Sequence, residues 1–202
     1  FEVVANGYDD EQLNRVKSLK DNPYPDKFVI TVFGKLAYYS VDYGVKFFKA
    51  LKALSENYPD LLVLHVGLPE KETEKAIEKS GFDRKKYINT GFIQYTEGIQ
   101  LLNESNVNVI IDVRKGAMGT KFYDYVYVNK PIIYFGKKNT QLDTMVQQFE
   151  NGFSCYGEAD LIKAVTKIKE NQLTSLTENS QVEQYSRRYQ NKRYIQLMES
   201  LL

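Results

Sequence analysis

The sequence contains one cysteine, Cys155, and one histidine, His65, among 202 residues. A lone thiol excludes an internal disulfide, and a lone imidazole excludes a histidine-rich metal site; both fit a reducing compartment. The expected location is therefore cytoplasmic, including peripheral association with the inner face of a membrane. No apolar run approaches the roughly 20 residues that span a bilayer, and the longest, such as Val107 to Ile111, have the length of strands. Charge of one sign is lacking too. The 27 basic and 26 acidic residues give a net charge of +1 and are spread along the chain, so nucleic acid is not an expected partner. Also missing are a Gly-x-Gly-x-x-Gly after the first strand, a Walker A sequence and a Gly-x-Ser-x-Gly elbow. Their absence disfavours a dinucleotide enzyme, a P-loop hydrolase and a serine nucleophile. No repeat or low-complexity tract occurs.

What is present alternates. Segments that read as strands (the near-continuous apolar run Phe28 to Phe33, then Leu61 to Val66, Tyr87 to Thr90, Val107 to Asp112, Pro131 to Phe135 and Phe153 to Tyr156) are separated by segments with helical periodicity. Those segments are Val41 to Asn57, Glu70 to Ser80, Thr96 to Glu104, a helix from about Thr120, Leu142 to Glu150 and Glu158 to Glu170. Strands followed by helices through short connections predict an α/β fold, a Rossmann-like doubly wound parallel sheet of about six strands covered on both faces. Residues 1–26 read as a lead-in segment, with a turn at Asn6-Gly7-Tyr8-Asp9 and helical character at Leu13, Val16 and Leu19. Phe1 to Val4 looks like the end of a strand, with neither initiator Met nor signal sequence, which suggests a fragment. Residues 27–170 form the expected domain. In 171–202 a polar stretch, Asn171 to Asn179, reads as a linker before a C-terminal helix with an apolar stripe through Val182, Tyr185, Tyr189, Ile195, Met198 and Leu202.

The organising stretch is 116–135. Gly116 and Gly119 punctuate a loop, a helix begins near Thr120, and Lys130-Pro131 stops it before the strand at Ile132-Ile133. At about 100° per residue, Thr120, Lys121 and Asp124 share a polar stripe while Phe122 and Val126 fall on a packing face. A hydroxyl, an ammonium and a carboxylate at a helix start suit a ligand carrying both phosphates and hydroxyls. The same residues also fit an N-cap and a solvated helix face.

Ligands of open parallel sheets bind outside the carboxyl ends of the strands, so the exit loops are the candidates: Gly34-Lys35, Gly67-Leu68, Gly91-Phe92-Ile93 and Arg114 to Thr120. Lys35, Arg114, Lys115 and Lys121 lie on or beside them and could converge on a diphosphate, with Lys35 and Lys121 favoured. Arg114 and Lys115 fit solvated loop charges equally well, Gly67 a tight turn, and His65 a satisfied core histidine.

These residues resemble a family, the carboxyl-terminal domain of GT-B fold glycosyltransferases of the group 1 (family 4) type. The likeness rests on Asn6-Gly7-Tyr8-Asp9, Phe33-Gly34-Lys35, Gly91-Phe92-Ile93, and Gly119-Thr120-Lys121-Phe122-Tyr123-Asp124-Tyr125 followed by Asn129-Lys130-Pro131-Ile132-Ile133. The resemblance implies the donor-binding half of an enzyme that transfers a sugar, with retention, from a nucleotide-diphosphate sugar to a glycan or lipid-linked acceptor. It implies a missing amino-terminal domain, no cofactor and no obligatory metal. Lys35 and Lys121 would stabilise the leaving diphosphate, and Gly34, Phe92, Ile93, Gly119, Thr120 and Asp124 would complete the donor site. The family's first glutamate falls at Gly116, where this sequence has no carboxylate, and a second Lys on the first exit loop has no counterpart among Leu36 to Tyr43. A non-catalytic sugar-nucleotide binding module and a GT-B-like epimerase are the alternatives.

Overall fold

A computed structural model describes residues 5–16, 19, 21–116 and 119–200. Six strands, β1 (Phe28–Phe33), β2 (Leu61–Val66), β3 (Tyr87–Asn89), β4 (Val107–Asp112), β5 (Ile132–Gly136) and β6 (Gly152–Cys155), form one parallel sheet in the order β3-β2-β1-β4-β5-β6. The helices between them are α2 (Val41–Asn57), α3 (Lys71–Ser80), α4 (Tyr95–Glu104), α5 (Lys121–Val128), α6 (Gln141–Val146) and α7 (Glu158–Glu170). A short α1 (Asp10–Leu13) precedes β1, and α8 (Asn179–Glu183) and α9 (Arg187–Glu199) end the described chain.

Because side chains alternate across a strand, each central strand feeds two cores. Val107, Val109 and Ile111 of β4 join Ile133 and Phe135 of β5 beneath α2 and α7, whereas Ile110, Ile132 and Tyr134 pack with Phe122, Tyr125 and Val126 of α5 on the other face. Both faces are covered, which is why the strands read as continuous apolar runs.

The order in which successive strands are added reverses between β1 and β4, and these two parallel strands pair only at Ile30↔Val107 and Thr31↔Asn108. Beyond that point they part, and Tyr125 fills the split. Its buried hydroxyl accepts from Phe33 N at 2.8 Å and donates to Val109 O at 3.1 Å, satisfying one backbone group of each strand and seating α5 over the opening. Asn129, at φ 51°, ends α5 in the left-handed conformation.

Four expectations change. Among the described residues, helix in the lead-in segment is confined to α1, and Leu19 lies outside it. Residues 171–178 are not a free linker, because Leu176 is fully buried and its N–H, with that of Thr177, is received by Asn129. The C-terminal helix is two helices broken at 184–186. In α8, Val182 packs into the core, and beside it Tyr8 and Ser186 form an isolated parallel bridge. Along the expected stripe, Tyr189, Ile195 and Met198 of α9 are exposed, as is Tyr194 beside them. The strand end expected at Phe1 to Val4, part of the 116–119 loop, and Leu202 lie outside the described residues.

Candidate functional site

The β1/β4 split opens at the carboxyl edge of the sheet into a cavity of about 220 Å³ lined by Gly34, Lys35, Tyr39, Asp112, Arg114 and Lys121 among others. Its first wall is the β1 exit loop. Gly34 sits at φ 80°, where a side chain would be strained, and a Cβ there would meet nothing within 4 Å, so the backbone is open to a ligand. The loop is held from below. His65 donates from Nε2 to Gly34 O at 2.6 Å and accepts at Nδ1 from the Tyr87 hydroxyl at 2.8 Å, and burial lowers its pKa so that it stays neutral. His65 is thus a satisfied core histidine, as expected. Gly67 does more than turn the chain, since a Cβ on it would lie 2.9 Å from Gly34 O. Buried Glu70 accepts from Leu36 N, Ala37 N at 3.0 Å and Thr73 Oγ1 at 2.8 Å, fixing the rest of the loop. Nothing in the sequence pattern singles Glu70 out.

The second wall is α5. Its first turn is closed by Phe122 N to Gly119 O and Tyr123 N to Thr120 O, and the N–H groups of Thr120 and Lys121 have no partner among the described residues. Thr120 is the cap position, but its side chain makes no capping hydrogen bond. Lys121 reaches across the cavity and donates from Nζ to Lys35 O at 3.3 Å. Its pKa is drawn down to about 8 chiefly by burial, with Arg114 adding to the fall and Asp112 and Glu70 opposing it. Lys35 lies opposite, with Nζ 3.9 Å from Glu70 Oε1 and 4.2 Å from the Tyr38 ring centroid.

The floor is the pair of Asp112 and Arg114. Arg114 binds the buried Asp112 carboxylate through Nη2 at 2.6 Å and Nε at 3.0 Å, and its guanidinium lies 3.8 Å from the Tyr39 ring centroid. The carboxylate holds Arg114 charged, its pKa raised. The available signal was Asp112 itself, a carboxylate ending an apolar strand at the carboxyl edge. Lys115 lies in the exposed loop and does not line the cavity.

Asp124 does not share Lys121's side. It lines a second cavity of about 230 Å³ with Asn6, Asp9, Tyr95, Thr120 and Arg187, so Thr120 stands between the two. There the Tyr95 hydroxyl donates to Asp124 Oδ1 at 2.5 Å, and Arg187 Nη1 pairs with Asp9 Oδ2 at 2.7 Å. Burial raises the Asp124 pKa against the opposing hydrogen bond from Tyr95. Gly119 lines the first cavity; Phe92 lies outside both, 77% exposed, and Ile93 packs against the cluster of Val29, Leu62, Leu64 and Val66. Gly116 is exposed with open space around it. Among the described residues no cluster of three or more His, Cys, Asp or Glu could hold a metal, and no helix is long and apolar enough to cross a membrane.

No protein-family model and no curated protein sequence matches the chain. Solved structures do. Anabaena Alr3699/HepE in complex with UDP aligns with a TM-score of 0.74 at 18% identity, over 98% of this chain and 57% of that one. The pneumococcal O-GlcNAc transferase GtfA in complex with UDP and GlcNAc aligns at 0.64 and 13%, over 92% of this chain and 38% of that one. A Listeria monocytogenes structure described as a UDP-N-acetylglucosamine 2-epimerase aligns at 0.59 and 11%, over 88% and 47% respectively. The chain therefore has a fold found within glycosyltransferase and epimerase structures, in keeping with the resemblance its motifs carry, and it spans about half the length of such structures or less.

Proposed function

We propose that this chain is the donor-binding half of a glycosyltransferase that moves a sugar, with retention, from a nucleotide-diphosphate sugar to a glycan or lipid-linked acceptor. One observation carries the reading: Lys35, Arg114 and Lys121 converge on a single cavity at the reversal of strand order, beside the Thr120 and Lys121 N–H groups that have no partner among the described residues. Such a cluster of fixed donors suits a diphosphate, and as the glycosidic bond to the leaving diphosphate breaks, Lys35 and Lys121 would stabilise the charge that develops on it. No metal is then obligatory. Gly34 and Gly119 let the diphosphate approach the backbone, Thr120 and Asp124 receive the ribose, and the Phe92-Ile93 loop borders the base. The acceptor would be bound by an amino-terminal domain of the same protein, working at the cytoplasmic side of polysaccharide synthesis.

The likeness to an epimerase structure favours one second reading, a sugar-nucleotide epimerase using the same donor pocket. Melting temperatures measured with UDP, GDP, ADP, CMP and their sugars test the shared core of both readings, because a ligand that binds only the native state raises the melting temperature. A rise with a nucleoside diphosphate and its sugar is expected, and no rise with any of them contradicts the proposal. Turnover by the full-length protein then separates transfer to an acceptor from inversion at a sugar carbon.

A further inference from the structure

Tyr95 begins α4, at the end of the loop that leaves β3, yet its hydroxyl spans to the next helix and donates to Asp124 Oδ1 at 2.5 Å. The tyrosine is held at both ends. Its ring packs against Phe33 with centroids 6.3 Å apart, and the start of α4 is fixed by a capping box in which Gln94 N donates to Glu97 Oε2 at 3.2 Å. Burial and the neighbouring carboxylate both raise the Tyr95 pKa, so the phenol stays protonated and is the donor of the pair. Asp124 Oδ2 has no hydrogen-bond partner among the described residues, and Asp124 lines the second cavity. A carboxylate oxygen offers two lone pairs, enough for the two hydroxyls of a vicinal diol.

We infer that Tyr95 is the positioning residue for Asp124: by occupying Oδ1 it turns Oδ2 toward the cavity, and the pair selects a ribonucleotide over its deoxy forms. This rests on the donor-binding reading above. The role differs from that of an ordinary tie between helices, because a tie would affect all nucleotides alike, whereas a positioned acceptor is felt only by a ligand with ribose hydroxyls.

The test is calorimetric titration of the whole chain with UDP and with 2′,3′-dideoxy-UDP. The unmodified protein is expected to prefer UDP. Tyr95→Phe keeps the ring and its packing on Phe33, and should weaken UDP about threefold to tenfold while changing the dideoxy nucleotide by less than about twofold. Introduced on top of Asp124→Asn, it should cost nothing further, since both substitutions remove one coupled unit. Equal losses on both nucleotides, an unchanged UDP affinity, or additive losses in the double variant would each overturn the inference while leaving nucleotide binding intact. If the unmodified protein binds neither nucleotide, the donor reading itself falls, and this inference with it.

Discussion

The two flanks of the α5 amino terminus are opposite in charge and are built differently. On the Lys121 side, three cations and one buried carboxylate line a cavity between α5 and two exit loops, and buried polar residues pin those loops: His65 under Gly34, Glu70 under Leu36 and Ala37, and Asp112 under Arg114. On the Asp124 side a carboxylate faces the cavity, its partner is a phenol, and the only cation nearby, Arg187, is already paired with Asp9 among the described residues. One helix start thus offers donors to one side and an acceptor to the other. A ligand with a diphosphate joined to a sugar bearing hydroxyls can use both flanks at once, whereas inorganic phosphate or a free nucleoside can use only one.

The largest effect expected follows from removing Lys121, one of the three cations on the first flank. Lys121→Ala should weaken UDP by about tenfold to a hundredfold, the range for a hydrogen bond to a charged group, and leave uridine nearly unchanged. Calorimetry with the two ligands checks it, and equal losses would break the distinction between the flanks.

Next comes the device that holds both flanks in place. Tyr125→Phe leaves Phe33 N and Val109 O without their shared partner in the buried split, and should cost about 1–3 kcal/mol of stability in urea unfolding. It should weaken UDP on both flanks together, since α5 carries Lys121 and Asp124 alike. A loss confined to one flank would show that the two are seated independently.

The smallest effect is a pH dependence. With Lys121 drawn down to about 8, its ammonium is mostly present at pH 7 and mostly lost at pH 9. The bound diphosphate favours the charged form, so affinity is full below that pKa and falls as pH rises through it. UDP-glucose, whose diphosphate does not titrate in this range, should bind up to about tenfold more weakly at pH 9 than at pH 7. His65 stays neutral throughout, its pKa lowered by burial, and Arg114 stays charged, so Lys121→Ala should flatten the profile.

The sheet was readable because its strands are buried on both faces and punctuated by turn residues: β1, β2 and β4 begin and end where their apolar runs do. Gly34, Lys35, Gly119 and Lys121 were readable as one group because strand order alone brings the first and fourth exit loops together. Other features were hidden for physical reasons. The helical period places Lys121 and Asp124 on one stripe but cannot say that two cavities divide it at Thr120. Arg114 looks like any loop charge until Asp112, at the end of β4, and Tyr39, on the β1 exit loop, enclose it. Glu70 and Tyr95 act through long-range hydrogen bonds that no local pattern carries, and the same is true of Asn129, which turns an apparent linker into a packed segment.

The central claim is that a nucleoside diphosphate binds across the α5 amino terminus, touching both flanks. Amide chemical shifts of the isotopically labelled chain followed during UDP titration test it most directly. The expected result is saturable change concentrated at Gly34, Lys35, Arg114 and 119–124, with Tyr95 moving in the same titration. Changes confined to one flank, changes centred elsewhere on the molecule, or no saturable change would contradict it.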